Sequence, residues 1–408
     1  MRILYVCHDL DYWRAHREGM ARIMAGQGAS VALLCGVAPD APLPDSPASV
    51  ARAAAGIPAD PGQSGEAVAA GPSIYAELDL FPLARHRLEP WRDLLLGRRV
   101  LAAVRHFRPD VIHLITLKPA LFGGGALRFA GPKGLRVIAT FPGLGRVFAT
   151  DPPDRRQRLV TSGLRHALGG GMTVATFENP ADRARLVAAG VVSQERSVVI
   201  SGAGFDPAEF PPAPMPAGPA EGAPLRCLFA GRLLQAKGVG GVLEAARLLK
   251  AAGAPVRIGL AGPAGGDPDA VPMDVISAMA GEGLIDHFGQ VPMDGMAELL
   301  ARQHVLLLPT RYPEGTPRII AEAGAVGRPS IVSAHPGCTA FVRHGREGIV
   351  LDPADGRALA QAIQRLVDQP ETLERMGAQA QRRALDGGFT LAAVTAQFQR
   401  LYSGSNSA

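Results

Sequence analysis

Strand and helix signals alternate twice along this chain, on either side of a stretch dominated by Pro, Ala and Gly at 207–224. The first round opens with an apolar strand at 2–7, a helical stretch at 13–27 and a second apolar strand at 30–35. Strand, helix, strand at this spacing is a βαβ unit, which calls for a parallel sheet covered on both faces. Helix 88–107, strand 111–116, helix 123–130, strand 136–140, helix 155–168, strand 172–176, helix 181–189 and strand 197–200 follow. The second round reads as strand 225–230, helix 239–252, strand 256–261, helix 277–281, strand 288–290, helix 296–302, strand 304–308 and helix 317–326. It ends with strands 330–333 and 348–351 and helices 356–367 and 391–401. Such alternation predicts an α/β protein with two doubly wound, Rossmann-like domains facing across a cleft at the C-terminal ends of their sheets. The length of 408 residues agrees with two domains.

The expected boundaries are 1–206 for an N-terminal domain, 207–224 for a Pro-rich linker and 225–385 for a C-terminal domain. A helix at 386–408 is expected to pack back on the N-terminal domain. Residues 38–73, rich in Ala, Pro, Gly, Asp and Ser without periodicity, read as a flexible insertion.

Composition removes several classes. With 47% apolar and 19% charged residues the chain can build sizeable cores and is not disordered. No run of 18 apolar residues occurs, so no membrane-spanning helix is expected. The N-terminus turns polar too soon for a leader, which points to the cytoplasm. Cys7, Cys35, Cys227 and Cys338 lack metal-ligand spacing and read as buried free thiols. The net charge of +5 is uneven: residues 81–165 carry 16 Lys and Arg against 5 Asp and Glu. Such a run suits phosphates, an anionic membrane surface or nucleic acid. Aromatic residues do not interleave with it, so nucleic acid is not expected.

The common phosphate and nucleophile motifs are missing. No GxGxxG follows the first strand, and neither GxxxxGK[ST] nor GxSxG occurs. Asp267 and Asp269 stand at metal-ligand spacing, but their Gly/Pro surroundings read as a polar turn, so no metal site is expected.

Two segments carry chemistry instead. Gly231-Arg232-Leu233-Leu234-Gln235-Ala236-Lys237-Gly238 leaves the first strand of the second domain and enters a helix. A guanidinium that grips two oxygens, an ammonium five residues on and helix N–H groups suit a diphosphate. Some eighty residues later comes Pro313-Glu314-Gly315-Thr316-Pro317-Arg318-Ile319-Ile320-Ala321-Glu322. Glu314 precedes a helix, Gly315 lets a backbone approach a ligand, and Glu322 sits within the helix. A carboxylate there can accept both hydroxyls of a ribose and Glu314 can hold a sugar's hydroxyls; the alternatives are a capping carboxylate at a helix start for Glu314 and a solvated helix residue for Glu322.

GRLLQAKG followed by EGTPRIIAE resembles the retaining glycosyltransferases of family 4, which have the GT-B fold. Ser333-Ala334-His335-Pro336-Gly337-Cys338 resembles the family's loop after the next strand. The resemblance implies that Arg232 and Lys237 bind the donor diphosphate and, with Glu314, carry catalysis. It implies that Glu314 and Glu322 contact donor sugar and ribose, with Gly231, Gly315 and Thr316 completing the site.

In the first domain, Ile112-His113-Leu114-Ile115-Thr116-Leu117-Lys118-Pro119, Thr140-Phe141-Pro142-Gly143-Leu144-Gly145-Arg146 and Phe177-Glu178-Asn179-Pro180 recur in order. With Ala15-His16-Arg17 they resemble bacterial enzymes that extend polyprenyl-diphosphate-linked sugars, N-acetylgalactosaminyltransferases among them. That resemblance implies a nucleotide sugar, UDP-linked, as donor, with no cofactor and no divalent metal. It implies a polyprenyl-diphosphate-linked saccharide as acceptor, in glycan, capsule or O-antigen assembly, and peripheral attachment to the anionic inner face of the cytoplasmic membrane. Gly143 and Gly145 then let backbone approach the donor, and His16, Arg17, His113 and Lys118 contact the acceptor. Arg85, Arg87, Arg92, Arg98 and Arg99, with the stretch 155–160, are the expected membrane contacts. A sugar-nucleotide 2-epimerase of the same architecture and a non-catalytic sugar-nucleotide-binding scaffold remain as alternatives. Pro313 stands where such enzymes often have Arg, and Thr339 and Ala340 stand where they often have Arg and Glu.

Overall fold

The computed structural model describes residues 1–38, 74–83, 90–148, 152–169, 171 and 173–404. Nearly all of the expected insertion at 38–73 lies outside these residues, as do Arg85, Arg87 and the side chain of Arg92.

Two compact units form. The first comprises Met1–Phe177, Ala181–Ile200 and Thr395–Ala408, and the second comprises Glu178–Pro180 and Ser201–Val394.

The first unit holds a seven-stranded parallel sheet in the order β3-β2-β1-β4-β5-β6-β7. Its strands are β1 (Arg2–Cys7), β2 (Ser30–Val37), β3 (Tyr75–Pro82), β4 (Val111–Ile115), β5 (Arg136–Phe141), β6 (Thr173–Phe177) and β7 (Ser197–Val199). β4 is buried along its whole length, and β1, β2 and β5 along all but their first residue, as a sheet covered on both faces requires.

The helical stretch read at 13–27 is two helices, α1 (Leu10–His16) and α2 (Glu18–Gly26). Asp9 caps α1 by accepting from the Tyr12 N–H at 2.7 Å. Arg17, at φ −133° and ψ −22°, breaks the pair and turns its guanidinium over the Phe398 ring. Helices α3 (Pro90–Phe107), α4 (Gly124–Ala130), α5 (Arg155–Leu168) and α6 (Pro180–Ala188) complete the alternation. β3 was not read from the sequence. It is a half-exposed edge strand, so its residues do not alternate cleanly between core and water.

The second unit holds a six-stranded parallel sheet in the order β10-β9-β8-β11-β12-β13. Its strands are β8 (Leu225–Ala230), β9 (Val256–Ala261), β10 (Asp286–Gly289), β11 (Val305–Leu308), β12 (Ser330–Ser333) and β13 (Gly348–Leu351). Helices α7 (Val239–Ala251), α8 (Met273–Gly281), α9 (Met293–Ala301), α10 (Arg318–Val326), α11 (Pro336–Thr339), α12 (Gly356–Asp368) and α13 (Glu371–Asp386) belong to this unit. The last helix, α14 (Leu391–Ser403), joins the first unit from Thr395 onward. α13 was also missed. Its buried side is Leu373, Met376, Gly377, Ala380 and Ala384.

The Pro-rich stretch 207–224 is tied to the second unit rather than loose. Arg328, 1% exposed, donates to the carbonyls of Ala213 and Pro214 at 3.1 and 2.7 Å, and His304 meets Pro216 O at 3.1 Å. A proline-rich segment has few N–H groups of its own, so its carbonyls are what a buried guanidinium can bind.

Candidate donor-binding site and its relatives

The site in the second unit is built from three loops that leave the C-terminal ends of neighbouring strands. β8 and β9 pair in register through Ala230 and Ala261, so the loops that follow them start side by side. Gly231 donates to Ala261 O at 2.9 Å and takes φ +151°. A Cβ on Gly262 would fall 1.9 Å from Gly231 O, so only glycine lets these two loops leave the sheet together.

Asp267 and Asp269 then fasten the second loop to the first. The Asp269 carboxylate accepts from the Ala236 N–H at 2.9 Å, and Asp267 meets Arg232 Nη1 at 3.4 Å. The acidic pair read as a polar turn is thus a clamp on the GRLLQAKG loop.

The third loop, between β11 and α10, brings in Glu314. Lys237 Nζ lies 2.5 Å from Glu314 Oε2, and Thr310 donates to Glu314 Oε1 at 3.2 Å. Thr310 is itself held: its hydroxyl accepts from the Tyr312 N–H at 3.1 Å, and its carbonyl accepts from the Ser333 hydroxyl. The Tyr312 ring serves both cations, with Arg232 Cζ 5.3 Å and Lys237 Nζ 5.4 Å from its centroid. One aromatic face beside two like charges offsets part of their repulsion. Gly315 is buried with its carbonyl against Gly337, where a Cβ would come within 1.9 Å. Thr316 is buried and donates to Glu178 O at 2.9 Å.

Arg232, Lys237, Glu314, Gly231 and Gly315 therefore lie on one set of interlocked loops. Glu322 makes different contacts. It is 6% exposed on α10, and its carboxylate meets Arg318 Nε one turn earlier at 2.5 Å. Burial pushes its acid strength down, raising the pKa, and Arg318 opposes that.

The first-unit residues divide. Gly143 and Gly145 lie on the turn after β5, where Gly145 takes φ +67° and its carbonyl accepts from the Phe148 N–H at 3.0 Å. His16 is half-buried at the end of α1, its ring 4.6 Å from that of Tyr12. Arg17 is 1% exposed. Lys118 is 8% exposed and meets the buried Asp93 carboxylate at 2.7 Å.

His113, expected to contact the acceptor, lies in the core of the first unit. It is fully buried, with Nδ1 2.6 Å from the Tyr402 hydroxyl and Nε2 2.5 Å from Thr140 Oγ1. Thr140 Oγ1 continues to Thr176 Oγ1 at 2.6 Å. Both ring nitrogens are engaged inside the core.

Sequence reasoning missed Tyr312, Thr310 and Gly262, and read Asp267 as a turn residue only. The available signal was the aromatic residue two positions before Glu314.

Comparison with known proteins agrees with this geometry. Residues 217–383 match the family of glycosyl transferases group 1. Part of the chain is similar to the amylovoran biosynthesis glycosyltransferase AmsK of Erwinia amylovora. The two are 32% identical over 148 residues, which is 35% of this chain and 36% of AmsK. The match thus spans about a third of that relative's length. Among solved structures, sucrose-phosphate synthase of Thermosynechococcus elongatus superposes with a TM-score of 0.73 at 18% identity, covering 99% of each chain. HepE of Anabaena, solved in complex with UDP, gives 0.70 at 17% identity over 99% of this chain and 100% of HepE. The chain has the GT-B fold.

Proposed function

We propose that this chain is a retaining glycosyltransferase that moves a hexose or N-acetylhexosamine from a UDP sugar to a polyprenyl-diphosphate-linked saccharide in surface polysaccharide assembly. The observation that carries the reading is the pairing of Arg232 and Lys237 on one glycine-bounded loop, both against Tyr312 and next to Glu314. Two cations so placed suit a diphosphate leaving group. The group 1 match over the same residues supports this, as does the fold shared with a structure that holds UDP. The similarity to a glycosyltransferase of amylovoran biosynthesis supports a biosynthetic role.

In transfer, the bond from the sugar's anomeric carbon to the donor phosphate breaks and the acceptor hydroxyl oxygen bonds to that carbon. The acceptor's proton passes to the departing phosphate on the same face. Arg232 and Lys237 neutralise the charge that builds on the diphosphate, each worth about 3 kcal/mol in the transition state. Glu314 holds the sugar and Glu322 the ribose. Of the acceptor-side residues, His16 is the one left at the surface, half-buried at the end of α1.

The test is incubation with a panel of labelled nucleotide sugars, with and without a polyprenyl-diphosphate-linked sugar. Label transferred to the lipid-linked acceptor is expected. Epimerised or hydrolysed donor irrespective of acceptor makes the chain an epimerase, and binding without turnover makes it a scaffold.

A further inference from the structure

Two thiols face each other where the first two strands of the chain end. β1 and β2 run parallel with Cys7 opposite Cys35. Paired strands lie about 4.8 Å apart, which falls toward the short end of the Cα separations a disulfide accepts. The two thiols hydrogen-bond to one another. Just beyond them the strand ends press together, since a Cβ on Gly36 would fall 2.3 Å from His8 O. Cys7 Sγ also donates to Asp9 O at 3.5 Å, and Asp9 caps α1.

The four cysteines are equally buried but not equivalent. Burial pushes the thiols of Cys227 and Cys338, both in the second unit, up. Burial also opposes charge on Cys7, but the Cys35 thiol and the His8 ring outweigh it and hold Cys7 below the usual thiol range. Cys35 is held above that range by burial and by Cys7. Among the described residues no three His, Cys, Asp or Glu side chains gather as metal ligands, so the pair does not belong to a closed zinc site.

We propose that Cys7 and Cys35 are a redox-sensitive dithiol that hydroperoxides close to a reversible intramolecular disulfide. The Cys7 thiolate attacks one oxygen of hydrogen peroxide, the O–O bond breaks, and the other oxygen leaves as water with the proton that the thiol gave up. Cys7 is then a sulfenic acid. The Cys35 sulfur attacks the Cys7 sulfur, the S–O bond breaks, and the hydroxyl leaves as a second water with the Cys35 proton. Two thiols lose two electrons and the peroxide gains them. Both thiols are buried, so the oxidant must be small; hydrogen peroxide is little larger than water, and the half-buried His8 and Asp9 adjoin Cys7. A bridge between directly paired strands is held at the short end of disulfide geometry, which favours a labile bond over a permanent one. The inference does not rest on sugar transfer, because the bridge is read without any substrate.

The test is treatment of the folded full chain with hydrogen peroxide, alkylation of the remaining thiols and peptide mapping without reductant. Loss of two of the four thiols and a peptide pair joining Cys7 to Cys35 are expected, and dithiothreitol should restore all four. Cys7 and Cys35 should be lost about tenfold faster than Cys227 and Cys338, or more. Cys35→Ala should stop at a Cys7 sulfenic acid that dimedone traps, with circular dichroism checking the fold. The map of the parent chain needs no variant, so it decides the matter even where Cys35→Ala fails to fold. Retention of all four thiols, equal loss across the four, or a bridge between two chains overturns the proposal. So does a Cys7–Cys35 bridge that forms only in urea, or passage of Cys7 to sulfinic acid in the parent without a bridge.

Discussion

Lys237 Nζ and Glu314 Oε2 stand 2.5 Å apart although 77 residues separate them in the chain. The pair joins the loop leaving β8 to the loop entering α10, and it sets the terms on which an anion arrives. Under the proposed function, a diphosphate seated at Lys237 would compete with Glu314 and free its carboxylate for a sugar hydroxyl. Lys237→Ala or Arg232→Ala should therefore lower turnover about a hundredfold each. Circular dichroism should stay that of the parent, since both loops keep their backbone clamps. Near-parental turnover in both variants would remove the diphosphate assignment.

Tyr312 presents its ring to both Arg232 and Lys237, and the predicted role of the residue rests on that ring. Each cation it faces is worth about 0.5–1 kcal/mol at a partly exposed site. Tyr312→Leu should weaken UDP binding about five- to tenfold, and Tyr312→Phe should restore it. The loss should be smaller for UMP, which has one phosphate fewer for the cations. Calorimetry on both nucleotides decides this; equal losses for UMP and UDP would make the ring a packing element only.

Glu322 gives a third, independent reading of the donor site. If its carboxylate serves the ribose, Glu322→Ala lowers UDP affinity while leaving affinity for inorganic diphosphate alone. Arg318 retains a second carboxylate, Glu209 at 3.8 Å, so the variant does not strand a charge. Unchanged UDP affinity would leave Glu322 as the helix partner of Arg318.

What was legible in the sequence follows from how local each signal is. β8 and β9 are apolar and mostly buried apart from an exposed arginine at the second position of each, Arg226 and Arg257, and their limits were read to the residue. β3 escaped because an edge strand leaves a weak alternation. At the site, Arg232, Lys237 and Glu314 announce themselves as charges in glycine-bounded loops. Asp267, Thr310 and Tyr312 acquire their roles from residues that lie close only after folding, and no spacing rule anticipates that. The histidine of β4 shows the same limit in reverse. Its apolar neighbours mark a strand, but its partner Tyr402 lies 289 residues away, so sequence alone cannot tell a core group from a ligand-binding one.

That buried histidine supplies the pH prediction. Burial, aided by the charge of Arg17, holds His113 well below its usual 6.5. The folded chain therefore refuses a proton that the unfolded chain accepts. Stability from this group is complete above about pH 6.5 and falls as pH drops below it, by about 1.4 kcal/mol per pH unit until the folded pKa is reached. His113→Gln should lose about 1–3 kcal/mol at pH 7.5, because Tyr402 and Thr140 lose a partner that fits between them. The same variant should show a flatter decline between pH 6.5 and pH 5. Both tryptophans, Trp13 and Trp91, belong to the first unit, so denaturant melts followed by tryptophan fluorescence report on it. His304, also held low by burial, belongs to the second unit. A parental slope on the acid side in the His113→Gln variant would mean that another group of the first unit carries the titration.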